Sequence, residues 1–164
     1  KLSRIRLDLV PLPREDAGLS AGPEFSPYAG VEDIIGVGET WRGALNRQQI
    51  YTINDLLVAG SRLKSSAELA ALVGVDRTRL AEWMGHAELL SVRAIDPRAA
   101  DVLWAVGMRD LATLAGASAE EVAAKYNDEV ARRAQKNLAP IDAEQAKAWI
   151  EAAIKYNGRP REGA

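Results

Sequence analysis

The feature of this sequence that most constrains its fold is an internal repeat. The segment Ile35–Gly38 reads Ile-Gly-Val-Gly and is followed by a helical pattern. Fifty-eight positions later the segment Arg93–Asp96 is followed by a similar pattern in the same register, without a gap. Apolar residues at positions 45, 50 and 56 are matched by apolar residues at 103, 108 and 114. A repeat of this kind predicts two copies of a small helical unit.

A second pair of segments repeats at an offset of 66 positions. Asp76 begins a segment that reaches Trp83 seven residues later, and Asp142 begins one that reaches Trp149. Asp is well suited to cap the N-terminus of a helix, so both segments should begin helices. The two tryptophans occupy equivalent positions, and we expect both to anchor the core rather than to form aromatic binding platforms.

Composition excludes several classes of protein. The chain of 164 residues is 48% hydrophobic and 27% charged, as is usual for soluble globular proteins. It has no Cys, so disulfides and thiolate metal sites are excluded, and its net charge of −2 gives no general attraction to nucleic acid. No apolar run approaches the roughly 20 residues of a membrane helix. We expect a cytoplasmic protein. The first residue is Lys, however, which leaves open a targeting segment that has been removed.

Residues 1–30 differ from the rest of the chain and are predicted to form an extended arm and linker. Arg4–Leu9 alternates polar and apolar residues, the period of a short strand. Several prolines and glycines then interrupt regular structure. From residue 31 the pattern is helical, with helices predicted at about 31–35, 39–48, 52–59, 64–73, 76–91, 96–106, 109–115, 118–136 and 142–156. Asp76, Asp96, Ser118 and Asp142 are the predicted N-caps, and Gly60, Gly74 and Gly107 the predicted helix ends.

The segment from Ile35 to Leu57 carries a recognisable motif. Two glycines flank one apolar residue, Val37, so the backbone can turn sharply while Val37 enters the core. The next helix then points free N–H groups outward, which makes a site for an anion. Together with the later pattern Ile50–Leu57, this resembles the helix-hairpin-helix motif. In DNA-binding proteins with this motif, the resemblance implies that the site holds a backbone phosphate without reading the sequence.

The resemblance extends over residues 31–156, which are similar to a bacterial family of tandem helix-hairpin-helix domains described only as a domain of unknown function. The residues that carry it are Gly36–Gly38, Glu82–Trp83 with His86–Leu89, Val92–Pro97 and Ala148–Glu151. It implies an all-α fold, a tandem helix-hairpin-helix domain. The extended N-terminal arm, which contains one short predicted strand, lies outside the resemblance. Residues 31–92 form the first unit and 93–157 a second, degenerate one. Together they make one compact domain, and residues 158–164 should be a disordered tail.

The hairpins depart from a DNA-binding pattern in their charge. Asp96 places a carboxylate where a phosphate would bind, and as an N-cap it would also occupy the helix N–H groups. In the first hairpin Glu39 directly follows Gly38, although Arg42 lies one turn further on and could partly compensate. A purely structural role for the hairpins is therefore favoured over phosphate binding by Gly36, Val37, Gly38 and Arg42.

Extra residues in the second copy, between Val122 and Asp142, bring a stripe of basic side chains at helical spacing. They are Lys125, Arg132, Arg133 and Lys136. A solvated helix face is the favoured interpretation, and a phosphate-binding or partner-binding stripe is the alternative.

Nothing in the sequence supports catalysis, a cofactor, a metal or a small-molecule substrate. His86 is the one histidine and has too few potential ligands nearby for a zinc site, so we expect a core or helix-surface histidine. Trp41 and Trp104 are expected in the core, although Trp104 could face a partner. No nucleophile–base pair, phosphate loop or dinucleotide fingerprint is present.

The predicted N-terminal arm indicates that the protein binds another protein. A lone strand in an all-helical protein cannot satisfy its own backbone groups, and Ile5, Leu7 and Leu9 form one apolar edge. Either the arm is disordered or lies along helices, or it adds a strand to a neighbouring subunit. We expect a non-catalytic interaction or assembly module, a subunit or adaptor that binds other proteins partly through this arm. The alternative is sequence-independent DNA binding through the first hairpin and the basic stripe.

Overall fold

The chain folds into helices joined by short turns. The computed structural model describes residues 25–26, 28–62 and 66–157, and within them the protein is all-α, with no strand. After a 3₁₀ turn at Val31–Asp33, the helices are α1 (Gly38–Arg47), α2 (Ile53–Arg62), α3 (Ser66–Val73), α4 (Arg77–Leu90), α5 (Pro97–Ala105), α6 (Leu111–Ala115), α7 (Ala119–Arg133) and α8 (Ala143–Tyr156). The predicted strand with Ile5, Leu7 and Leu9, and the predicted tail at 158–164, lie outside the described residues.

Side-chain caps begin the helices α4 to α8. Asp76, Asp96, Ser118 and Asp142 each accept a hydrogen bond from the backbone N–H three residues later, which confirms the four predicted N-caps. Asp110, which was not predicted as a cap, does the same for α6. Helix ends were predicted less well. Helix α2 continues past Gly60 to Arg62, and α7 ends at Arg133 because Ala134 adopts a left-handed conformation with φ of 52°.

Two pairs of helices correspond at the offset found in the sequence. Helix α2 packs on α4, and α6 packs on α8, while α4 also packs on α5. Helices α4 and α8 have identical lengths and occupy positions offset by 66, since 77 + 66 = 143 and 90 + 66 = 156. Trp83 and Trp149, at equivalent positions of these helices, are each 1% exposed. Their predicted burial is therefore confirmed.

One hydrophobic cluster contains residues from each of the helices α1 to α8. It also includes Phe25, from the end of the predicted linker. The Phe25 ring stacks on the ring of Tyr156, with centroids 4.3 Å apart, and its backbone forms an isolated bridge with Val92. The last residues of the linker therefore pack on the helical body. No helix in the described ranges has the length and hydropathy of a membrane span.

Candidate functional site

The first hairpin has the backbone shape that its glycines predict. Gly36 and Gly38 have φ of 103° and 64°, in the left-handed region that favours glycine. Between them Val37 is buried, and its N–H donates to the carbonyl of Ile34 over 3.1 Å. Helix α1 begins at Gly38 without a side-chain cap, and its first three residues are exposed. The hairpin therefore presents uncapped helix N–H groups at the surface, the geometry of an anion site.

The charges at this hairpin oppose an anion. The Arg42 guanidinium Nη2 lies 3.0 Å from Oε1 of Glu39, so the cation expected to compensate for Glu39 is paired with it instead. Glu39 is in the first turn of α1, where its charge interacts favourably with the positive end of the helix dipole. A phosphate would have to displace or tolerate this carboxylate.

The second hairpin keeps the buried central residue and its hydrogen bond, but Asp96 has φ of −82° where Gly38 is left-handed. Ile95 is buried, and its N–H donates to the Val92 carbonyl over 3.0 Å. The Asp96 carboxylate accepts from the N–H of Ala99 over 2.8 Å, so it occupies the helix N-terminus as its sequence position predicts. The two hairpins adjoin at a shallow surface depression lined by Ile35, Asp96, Pro97 and Arg98. Ile35 is 43% exposed there.

The predicted basic stripe is largely neutralised. On α7, Lys125 pairs with Glu121 over 3.0 Å, and Arg132 and Arg133 both bind Glu129. These two arginines, Arg132 first, lower the pKa of Glu129 from 4.5 to about 2. Lys136 lies beyond the end of α7 and so does not share its face. The four cations therefore do not form one free basic surface.

Arg133 instead belongs to a partly buried cluster that the sequence did not predict. Its Nη1 lies 2.8 Å from Oδ2 of Asp101 on α5, and the other oxygen of Asp101 lies 3.5 Å from Nε2 of His86. His86 is fully buried, and its Nδ1 is 2.8 Å from the Glu82 carbonyl. Because a carbonyl only accepts, Nδ1 carries the proton of this bond. His86 is therefore a core histidine of α4 whose Nε2 lies near Asp101 of α5 without a hydrogen bond to a described residue.

Two arginines that form no salt bridge with a described residue lie in an open groove beside Trp104. The groove is lined by Arg77, Thr78, Ala81, Trp104 and Arg109. The guanidinium of Arg109 lies 4.9 Å from the centroid of the Trp104 ring, whose other neighbour is His86 at 5.5 Å. Neither Arg77 nor Arg109 forms a salt bridge with a described residue. Sequence reasoning missed this groove because Arg77 and Arg109 are 32 positions apart.

The described part of the chain holds neither a metal site nor the predicted partner-binding arm. No three His, Asp or Glu side chains within the described part of the chain are placed to hold a metal ion. The arm residues Ile5, Leu7 and Leu9 lie outside that part. Among the predicted phosphate-binding residues, the structure groups Gly36, Val37, Gly38 and Arg42 at one hairpin, and it places Arg133 against α5.

Comparison with known proteins gives a family. Residues 36–156 match the sequence profile of the family described as "Domain of unknown function (DUF4332)", and the chain belongs to this family. The match spans both hairpins and ends with α8. No curated protein and no solved structure matches the chain.

Proposed function

We propose that this member of the family is a non-catalytic protein-interaction module, a subunit or adaptor of a larger complex. In this proposal the domain is a tandem helix-hairpin-helix domain, and the surface where its two hairpins meet docks a protein. The N-terminal arm adds a second attachment.

Hydrogen bonds that recur at an offset of 58 positions support the tandem hairpin assignment. The bond from Val37 N–H to the Ile34 carbonyl has its counterpart between Ile95 and Val92. The bond from Ile50 N–H to the Leu45 carbonyl, 3.0 Å long, has its counterpart between Met108 and Leu103 at 2.9 Å. The left-handed residues Gln49 and Gly107 also correspond. Two copies of one hairpin-and-helix unit account for all of these pairs.

The balance of charge at the hairpins carries the choice of a protein partner over DNA. Arg42 is paired with Glu39, and Asp96 caps α5. In the depression between the hairpins, Asp96 and Arg98 have opposite charges, so they attract no polyanion as a pair. DNA affinity depends on neutralising phosphates with free cations. A surface with an exposed Ile35, a proline and balanced charge is instead typical of a polar-rimmed protein interface.

Site-directed variants of the hairpin surface test this proposal. Ile35→Glu places a charge at the centre of the surface, and Ile154→Glu is the matched control, since Ile154 on α8 is 61% exposed. Tagged proteins would be purified from the cells of origin and their partners quantified. We expect Ile35→Glu to lose a stoichiometric protein partner that Ile154→Glu retains, with both variants melting like the wild type. Equal retention by both would contradict the proposal.

Sequence-independent DNA binding is the second candidate, and the uncapped N-terminus of α1 with left-handed Gly36 and Gly38 favours it. Fluorescence anisotropy with a duplex at about 150 mM salt decides between the candidates, because weak electrostatic binding is lost at this salt. We expect no sub-micromolar affinity. Sub-micromolar binding that falls with Gly38→Asp would establish the hairpin as a DNA site. A fall with Lys125→Ala and Lys136→Ala would instead locate binding on the basic stripe.

A further inference from the structure

The open groove beside Trp104 has the composition of a binding surface. It lies between the start of α4, the end of α5 and the turn that leads to α6. The residues that line it are Arg77, Thr78, Ala81, Trp104 and Arg109. Trp and Arg are enriched among the residues that carry most of the binding energy of protein interfaces. The small side chains of Thr78 and Ala81 leave room between them for a bound chain.

The Trp104 ring is held in place by its packing on α4. Gly85 allows the close approach, because a Cβ atom there would lie only 2.6 Å from Cζ3 of Trp104. The ring of His86, which is fully buried, lies 5.5 Å from the Trp104 ring between centroids. Trp104 nevertheless remains partly exposed. A partner that contacts this ring would therefore lose little free energy through ordering of the side chain.

The two arginines of the groove have donors that no described residue uses. The guanidinium Cζ of Arg109 lies 4.9 Å from the centroid of the Trp104 ring, which is the distance of a cation–π contact and restricts the arginine to this side of the groove. Neither Arg77 nor Arg109 forms a salt bridge or a side-chain hydrogen bond with a described residue. A guanidinium binds a carboxylate through paired N–H groups, so both arginines are suited to acidic side chains.

The charges around the groove favour an acidic peptide over a nucleic acid. The described residues that line the groove carry two positive charges and no carboxylate. Each arginine is next in the chain to an aspartate, Asp76 or Asp110, whose carboxylate caps a helix. A nucleic acid strand carries a charge on every nucleotide, so its further phosphates would be repelled by these aspartates. A peptide can place carboxylates at the arginines alone.

We propose that this groove binds a short acidic segment of a partner protein. One carboxylate of the segment pairs with Arg109 and a second with Arg77, and an uncharged side chain of the segment contacts Trp104. The proposal rests on the interaction function proposed above and adds a second surface to it. The groove lies at the end of α5, whereas the depression between the hairpins lies at its start, and the two surfaces share no lining residue.

Selection of peptides on the full chain tests this proposal. A phage-displayed library of random peptides would be selected at about 150 mM salt, where weak long-range attraction is screened. We expect the enriched peptides to carry at least two acidic residues. Synthetic copies should shift the indole N–H signal of Trp104 in nuclear magnetic resonance spectra, in which Trp104→Phe assigns this signal among the four tryptophans. If no peptide is enriched, if enriched peptides are not acidic, or if they leave the Trp104 signal unchanged, the proposal is wrong.

Variants of the two arginines test their roles. Arg77→Gln and Arg109→Gln, both at exposed positions, should each weaken binding of the selected acidic peptide about tenfold, the usual value of a charge-assisted hydrogen bond. Arg47→Gln on α1, also exposed, is the matched control and should bind like the wild type. Ile35→Glu should also bind normally, so failure of the groove and failure of the hairpin surface are distinguishable. Unchanged affinity in both groove variants, or a single-stranded oligonucleotide that shifts the Trp104 signal at the same salt, would overturn the proposal.

Discussion

Replacement of Gly85 by Ala tests how tightly α4 packs against α5 and the turn that follows it. Gly85 is buried in the interior of α4, where it faces α5 and the turn that follows. A Cβ atom there would lie 2.6 Å from Cζ3 of Trp104 and closer still to the backbone carbonyl of Arg109. Overpacking of this kind costs about 1–3 kcal/mol, and the upper end applies because a backbone atom cannot rotate away. Ala also stabilises a helix by about 1 kcal/mol relative to Gly through its higher helix propensity. We therefore expect a net loss of about 2 kcal/mol.

Thermal unfolding followed by circular dichroism measures this loss. For a domain of this size about 1 kcal/mol corresponds to roughly 3 °C, so Gly85→Ala should lower the melting temperature by about 6 °C. Gly43→Ala is the matched control, because Gly43 lies within α1 and a Cβ there would meet only the Arg47 guanidinium, at 3.7 Å. That variant should gain about 1 kcal/mol and melt roughly 3 °C higher. If Gly85→Ala melts at or above the wild-type temperature, α4 is not packed against Trp104 and Arg109 as described.

Three further predictions concern the core, the charge cluster and the arm. Trp83→Ala and Trp149→Ala should each cost about 3–5 kcal/mol by urea unfolding, and near-neutral results would contradict their equivalent core positions. Glu129→Gln should destabilise the protein at pH 7, because a carboxylate whose pKa falls from 4.5 to about 2 on folding stabilises the native state above pH 4.5. The stability difference between the wild type and Glu129→Gln should vanish as the pH falls from 4.5 to 2. A difference that does not depend on pH would contradict the ion pairs of Glu129. Deletion of residues 1–12 should leave the melting temperature unchanged and abolish partner co-purification, and unfolding of the truncated protein would show that the arm belongs to the core.

Local sequence signals predicted much of the helical framework. The N-caps at Asp76, Asp96, Ser118 and Asp142 depend on a side chain and an N–H three residues away, so short windows of sequence contain what is needed. Gly74 and Gly107 ended helices as predicted, since both adopt left-handed φ. The end of α7 was not predicted, because Ala134 is an ordinary helix former and nothing in its side chain favours a left-handed conformation.

Features of the surface depended on contacts between distant residues and were harder to predict. The spacing of Lys125, Arg132 and Arg133 indicated a basic stripe. Their partners Glu121 and Glu129 lie three or four positions earlier on the same helix and could have been read from the sequence, but Asp101 lies 32 positions from Arg133. The groove beside Trp104 likewise brings together α4, α5 and the turn that leads to α6. No periodicity in the sequence predicts these contacts between helices, because they depend on how the helices pack rather than on how each helix forms.

Site-specific photocross-linking at the hairpin surface tests the central claim most directly. A benzophenone side chain would replace Ile35 in one variant and Ile154 in the other, and both would be irradiated in the cells of origin with and without nuclease treatment. The account predicts a defined protein adduct, resistant to nuclease, from position 35 and not from position 154. An adduct of position 35 that nuclease destroys would show that the hairpins contact nucleic acid. The same adducts from both positions would show that the hairpin surface is not a specific docking site.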